Sequence, residues 1–105
     1  VDSGLVLEQI DSEIARDLNL KENFKGVVIV QLQPGSPAHL SGLRRGDVIL
    51  EVDRKPIRTE EDFNRIVTTK RTYLLRIRRL DPTGQEMFLF VTLKVNPTLM
   101  DEAYE

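Results

Sequence analysis

The chain has no cysteine and no tryptophan, and its one histidine is His39. Without cysteine there is neither a disulfide nor a thiolate metal site, so a packed core has to hold the fold. One imidazole cannot build a multi-histidine metal centre. No cofactor and no metal are expected. No apolar run approaches the ~18 residues of a membrane-spanning helix. An excess of one charge sign is missing too: 15 Lys and Arg stand against 17 Asp and Glu, net −2, with the signs interspersed. That balance lacks the basic excess of a general nucleic-acid binder. There is no glycine-rich phosphate loop and no G-x-S-x-G elbow. The first residue is Val1, so the chain reads as a processed or excised piece, and a missing targeting signal carries no weight.

What remains suits one domain. A chain of 105 residues buries somewhat over ~60% of the surface its unfolded form exposes, enough for a core without staples. Hydrophobic content of 40% and charged content of 30% are ordinary for a globular protein.

The best-punctuated stretch is residues 34–50, PGSPAHLSGLRRGDVIL. Pro34-Gly35 is a turn. Ser36 is a helix N-cap and Pro37 fits the first helical position, where its missing N–H is not needed. Gly42 ends the short helix in left-handed conformation. Gly46-Asp47 turns again, and Val48-Ile49-Leu50 starts a buried strand. Before this stretch, Leu5 to Leu7 suit a short, partly covered strand. Asp11-Ser12-Glu13 opens a helix over about residues 12–19. Val27 to Leu32 reads as a central strand covered on both faces. After it, Val48 to Asp53 reads as a strand with Val48, Leu50 and Val52 on one face, and Ile57 as a short edge pairing. Thr59 caps a helix running to about Thr69, which Lys70 and Arg71 close with the favoured charge. Its stripe is Phe63, Ile66 and Val67. Tyr73, Leu75 and Ile77 alternate with Leu74, Arg76 and Arg78 in the next strand. Asp81 to Gly84 is a hairpin turn. In the last strand Met87, Leu89, Val91, Leu93 and Val95 point one way, and Phe88, Phe90, Thr92 and Lys94 the other. Two apolar faces there imply a strand curling round a barrel. Asn96-Pro97 ends the domain, which spans residues 1–96; residues 97–105 form a tail or linker. The fold class is α+β, mainly β: a small, partly open β-barrel of five to six strands capped by two helices.

PGSPA followed by GLRRGDVI resembles the central signature of PDZ domains, nearest to the bacterial kind carried by HtrA (Deg) serine proteases. The flanks EIARDLNL, KGVVIVQLQ, ILEVDRKPI, EEDFNRIV and LLRIRR agree, so the resemblance covers roughly residues 3–95. It implies the circularly permuted bacterial form, in which the ligand-binding strand comes first. It also implies capture of protein C-termini by strand addition. Ser3-Gly4-Leu5 matches the short loop whose amides receive the terminal carboxylate. Val6, Leu7 and Glu8 continue the binding strand, with Leu5 and Leu7 aimed at a pocket. The opposite wall is the second helix: Val67 as pocket floor, Asn64 and Glu60 on the flank, and Phe63 and Ile66 in the core, or in the groove if the register shifts by one. Ser3 stands where a larger apolar residue is usual, and Asp2 places a negative charge beside the carboxylate nest. Both weaken the expected affinity.

Catalysis has little support. His39 with Ser36 or Ser41 is the only conceivable triad fragment, and His39 sits on a short solvated turn. Arg76, Arg78 and Arg79, with Lys70 and Arg71, read as a solvated basic edge that discourages strand pairing, or else as a surface for an acidic partner such as a neighbouring protease domain. The resemblance implies a regulatory module of a homo-oligomeric serine endopeptidase for quality control in the bacterial envelope or periplasm. Its partners would be C-terminal peptides of unfolded or substrate proteins and the protease domain of the same chain, not nucleic acid. The competing readings are a structural assembly domain with a closed groove, and the same module on a tail-specific or site-2 protease or a secretion component.

Overall fold

The computed structural model describes residues 3–95. The expected boundary at Asn96-Pro97, the tail and Asp2 lie outside them. The elements in order are β1 (Leu5–Gln9), α1 (Ser12–Asp17), β2 (Val27–Leu32), α2 (Pro37–Leu40), β3 (Val48–Val52), β4 (Lys55–Pro56), α3 (Glu60–Ile66), β5 (Thr72–Leu80) and β6 (Glu86–Lys94). The strands form one antiparallel sheet in the order β1-β2-β3-β5-β6, with β4 paired to β3. The sheet is not closed, and β1 and β6 are its two ends.

Local chemistry sets the element starts. Asp11 Oδ1 accepts from Ile14 N at the head of α1, and Ser36 Oγ from His39 N at the head of α2. Thr59 and Asp62 form a reciprocal capping box on α3. Gly84, at φ 86°, closes the Asp81 turn by donating to Asp81 O at 2.8 Å.

Two cores lie on the two faces of the sheet. The larger holds Val27, Ile29, Ala38, Ile49, Val52, Phe63, Val67, Tyr73, Leu75, Ile77 and Leu93. The smaller joins Ile10 and Ala15 to Val28 and Val48, with Leu50 packed against it. Val48 and Val52 therefore do not share a face. The β3–β5 register slips between Ile49 and Glu51, and a bulge at Leu50 turns the following residues over. The α3 expectation was also too long. The helix stops at Ile66, with Val67 as C-cap. Lys70 and Arg71 lie beyond it. Tyr73 Oη accepts from the Thr68 and Lys70 amides, at 3.0 and 2.9 Å, and thereby ties down the segment that leaves the helix.

Part of the basic edge is not solvated: Lys70 and Arg71 are exposed, but Arg78 and Arg79 are drawn inward. Arg78 is 3% exposed, with Nε on Glu86 at 2.8 Å and Nη1 on Leu18 O at 2.7 Å. Arg79 makes a bidentate pair with Asp47, 2.8 Å on both oxygens, and a further bond to Gly42 O at 2.9 Å. Asp47 is 1% exposed. Hydrogen bonding to Asp47 raises the Arg79 pKa, so this cation stays charged while serving as an internal strut. Nor does β6 curl to bury both faces: Phe88 and Phe90 remain exposed.

Three surface carboxylates are held below the ordinary aspartate value of 3.8. For Asp53 the chief cause is the Leu74 amide, followed by Lys70. For Asp62 it is the Arg58 amide, and for Asp81 the Thr83 hydroxyl. A carboxylate with a depressed folded pKa binds fewer protons in the native state. Its stabilisation is complete above the unfolded pKa and is lost as pH falls through the folded one. Thermal unfolding is therefore expected to be insensitive to these three groups near neutrality and to weaken once pH drops to about 3.8 and below. Asp53→Asn should flatten that acid limb in calorimetry. An unchanged limb would mean that the Asp53 hydrogen bonds carry no linkage.

Candidate functional site

The candidate site begins at Gly4, which has φ 83°. A Cβ there would lie 2.1 Å from Ser36 Cβ and 2.3 Å from Ser36 Oγ. No other residue fits this position without displacing Ser36, the cap of α2. The loop is clamped by its carbonyls. Ser3 O accepts from Ala38 N and Gly4 O from Gln33 N, both at 2.9 Å. In a planar trans peptide the C=O and the next N–H point in opposite directions. The Gly4 amide is thus directed away from α2, and the Leu5 amide away from β2. The stretch at residues 33–38, which by sequence serves only the scaffold, is the wall that orients this loop. Nothing in the local pattern announced that contact.

Strand β1 follows. It pairs with β2 from Leu5↔Leu32 to Gln9↔Val27, with a slip between Val6 and Leu7. Gly4 O and the Ile10 N–H both face β2. Backbone groups alternate sides along an antiparallel strand. Leu5, Leu7 and Gln9 consequently present their amides and carbonyls to the sheet's open edge. The side chains of Leu5 and Leu7 are half-buried against the larger core, whereas Val6 and Glu8 are exposed.

Helix α3 lies beside β1. Phe63 and Val67 are each 4% exposed and belong to the core. Glu60 and Asn64 are exposed. Ile66 is half-buried and lines a cleft with Asp53, Lys55, Pro56 and Tyr73, to which β1 contributes nothing. Gln9, at the end of the expected binding strand, bridges the two walls: its Nε2 donates to Arg58 O at 2.8 Å and to Gly26 O at 3.3 Å. That bridge pins the end of β1 to the loop entering α3. The structure thus gathers Ser3, Gly4, Leu5, Val6, Leu7 and Glu8 along one edge with α3 alongside. His39 is exposed and its Nδ1 accepts from Gly35 N at 3.0 Å, an arrangement that locks the Pro34-Gly35 turn.

An open strand edge beside a helix, headed by a glycine-bearing loop, is a strand-addition geometry. Comparison with known proteins supplies the family. Residues 28–79 match the family described as PDZ domain. This chain carries a PDZ domain, homologous to those of DegP- and HtrA-type proteases. The mitochondrial serine protease HTRA2 of Bos taurus is 37% identical over 98 residues, covering 88% of this chain and 20% of that protein. A probable periplasmic serine endoprotease, DegP-like, of Chlamydia pneumoniae is 36% identical over 62 residues, 59% of this chain and 13% of that one. In fold, the PDZ domain resembles the HtrA3 PDZ domain bound to a phage-derived ligand, FGRWV, with TM-score 0.71, 22% identity, and coverage of 87% and 80% of the two chains. The chain spans a fifth or less of the length of these two protease relatives.

Proposed function

We propose that this PDZ domain captures hydrophobic C-termini of unfolded or substrate proteins by strand addition to β1, and so regulates an HtrA-like serine endopeptidase in protein quality control. The carrying observation is the clamped loop at Ser3-Gly4-Leu5, whose Ser3 and Gly4 carbonyls are both fixed inward. A carboxylate at this loop meets the outward Leu5 amide dipole, with the Ser3 and Gly4 carbonyls turned away from it. The peptide then runs along the amides and carbonyls of Leu5 and Leu7, its last side chain against Leu5, Leu7 and the Phe63–Val67 wall. Glu60 and Asn64 flank residues further up the peptide. The relatives' names favour the bacterial periplasm as the setting, with a mitochondrial relative as the other case. Cleavage would belong to a separate protease domain of the same protein, against which this domain can also dock, in a homo-oligomer.

Magnitudes set the expected strength. Burying one aliphatic side chain contributes ~1.5–3 kcal/mol. Hydrogen bonds to a carboxylate contribute ~1.5–3 kcal/mol each, and association costs at least ~4 kcal/mol. Neutral strand bonds add ~0.5–1.5 kcal/mol each, and a surplus near the middle of these ranges corresponds to dissociation constants on the order of 10–100 μM. Fluorescence polarisation with hydrophobic C-terminal peptides tests the reading. Amidating the terminus should weaken binding by at least about tenfold, the loss of one charge-assisted bond. Equal affinity for the acid and the amide would sink the carboxylate nest. Amide shift changes that avoid residues 3–9 and 60–67 would instead favour an assembly domain with a closed groove.

A further inference from the structure

The second end of the sheet is β6, and among the described residues it lacks the usual protection. It is 9 residues long, EMFLFVTLK, with charge only at its ends. It contains neither proline nor glycine, and its register with β5 runs without a slip from Leu80↔Glu86 to Thr72↔Lys94. Among the described residues it pairs with β5 alone. Long, regular, apolar edges of this kind are templates for strand pairing. Its outer face adds Phe88 at 51% exposure and Phe90 at 68%.

Ladder parity shows what this edge can accept. Gln85 O and Val95 N both face β5. The even-numbered residues from Glu86 to Lys94 therefore turn their amides and carbonyls outward. An antiparallel second copy centred on Phe90 matches this pattern throughout: Phe90 faces its own counterpart, Phe88 faces Thr92, and Glu86 faces Lys94. Other registers also satisfy the backbone, but only this one sets the two terminal charges opposite each other. Space exists as well. A cleft of about 730 Å³ lies between α2 and β6, lined by Pro37, Leu40, Phe90 and Thr92 among others. Leu40 is 77% exposed there. A strand added beside β6 brings Met87 and Leu89 of the second copy against Leu40.

We infer that β6 is a self-association edge, through which two copies of this chain join their sheets antiparallel about Phe90. The edge is opposite β1, so the inference stands apart from the peptide-binding reading.

Sedimentation equilibrium of the chain up to about 1 mM tests it, with cysteine cross-linking to fix the register. A hydrogen-bonded antiparallel pair places its Cα atoms about 5.5 Å apart, within disulfide reach. The native chain has no cysteine to interfere. Phe90→Cys should cross-link to itself under mild oxidation at least tenfold faster than Thr92→Cys, whose counterparts lie roughly 13 Å apart along the strands. Lys94→Glu, which opposes two carboxylates, should weaken the dimer at least tenfold. All three sites are exposed, so none of these changes threatens the fold. Monomer at every concentration would overturn the inference. So would equal cross-linking rates for the two cysteines.

Discussion

Asp47→Ala is expected to lower the unfolding free energy by about 3 kcal/mol, a large share of the ~5–15 kcal/mol that holds a domain of this size. Breaking a buried ion pair costs ~3–5 kcal/mol, chiefly because the surviving charge is left without its partner. The lower end applies because the Arg79 side chain retains 14% exposure and can reach toward water. The carboxylate also accepts from Arg44 N at 2.9 Å, so its loss frees the turn that follows α2. Equilibrium urea denaturation measures the effect. In Asp47→Ala/Arg79→Ala neither charge is stranded, so the double variant should be less destabilised than the sum of the two singles. Additive losses would mean that water already screens the pair and that it contributes little.

Gly4→Ala should abolish measurable peptide binding at the concentrations that saturate the native domain, a loss of tenfold or more. Two effects combine. An L-residue at φ 83° pays roughly 1–2 kcal/mol. The new methyl also overlaps Ser36 at 2.1 Å. Ser36 cannot simply rotate aside, since it is buried and its Oγ caps α2 through His39 N. The loop must move instead, and the amides of Gly4 and Leu5 move with it. Ser36→Gly in the same chain removes the atoms that clash while leaving the φ penalty. Partial recovery of binding in that double variant would tie the loss to this contact. Native-like affinity in Gly4→Ala alone would show that the loop does not form the carboxylate site. Circular dichroism and urea denaturation of each variant separate loss of the site from loss of the fold.

Much of the scaffold was readable because its signals are local. Ser36-Pro37 and Thr59 through Asp62 start helices through bonds spanning a few residues. The alternation from Met87 to Leu93 is an unbroken period of two, and the half-buried and exposed faces follow it. The resemblance of PGSPA and GLRRGDVI to PDZ domains carried the fold itself. The candidate edge at residues 3–8 was marked only by the resemblance. Leu5-Val6-Leu7 would serve equally well as any short strand.

What misled the reading was long-range compensation. Arg78 and Arg79 look like solvent residues in sequence. Arg78 is buried against the carbonyls of Leu18 and Asn19, some 60 residues away, and the half-buried Arg79 is held by Asp47. The face reversal in β3 depends on how β5 docks, and no property of Leu50 announces it. The bridge from Gln9 to Arg58 and the seat of Gly4 on Ser36 are likewise contacts between distant segments. The sequence by itself determined the caps, the turns, the periods of β5 and β6 and the family, because each depends on neighbours in the chain or on a short motif. Tertiary structure alone decided which charges are internal, where the sheet's faces reverse, and what orients the Ser3-Gly4 loop. Those outcomes require partners that only the folded chain brings within hydrogen-bonding distance.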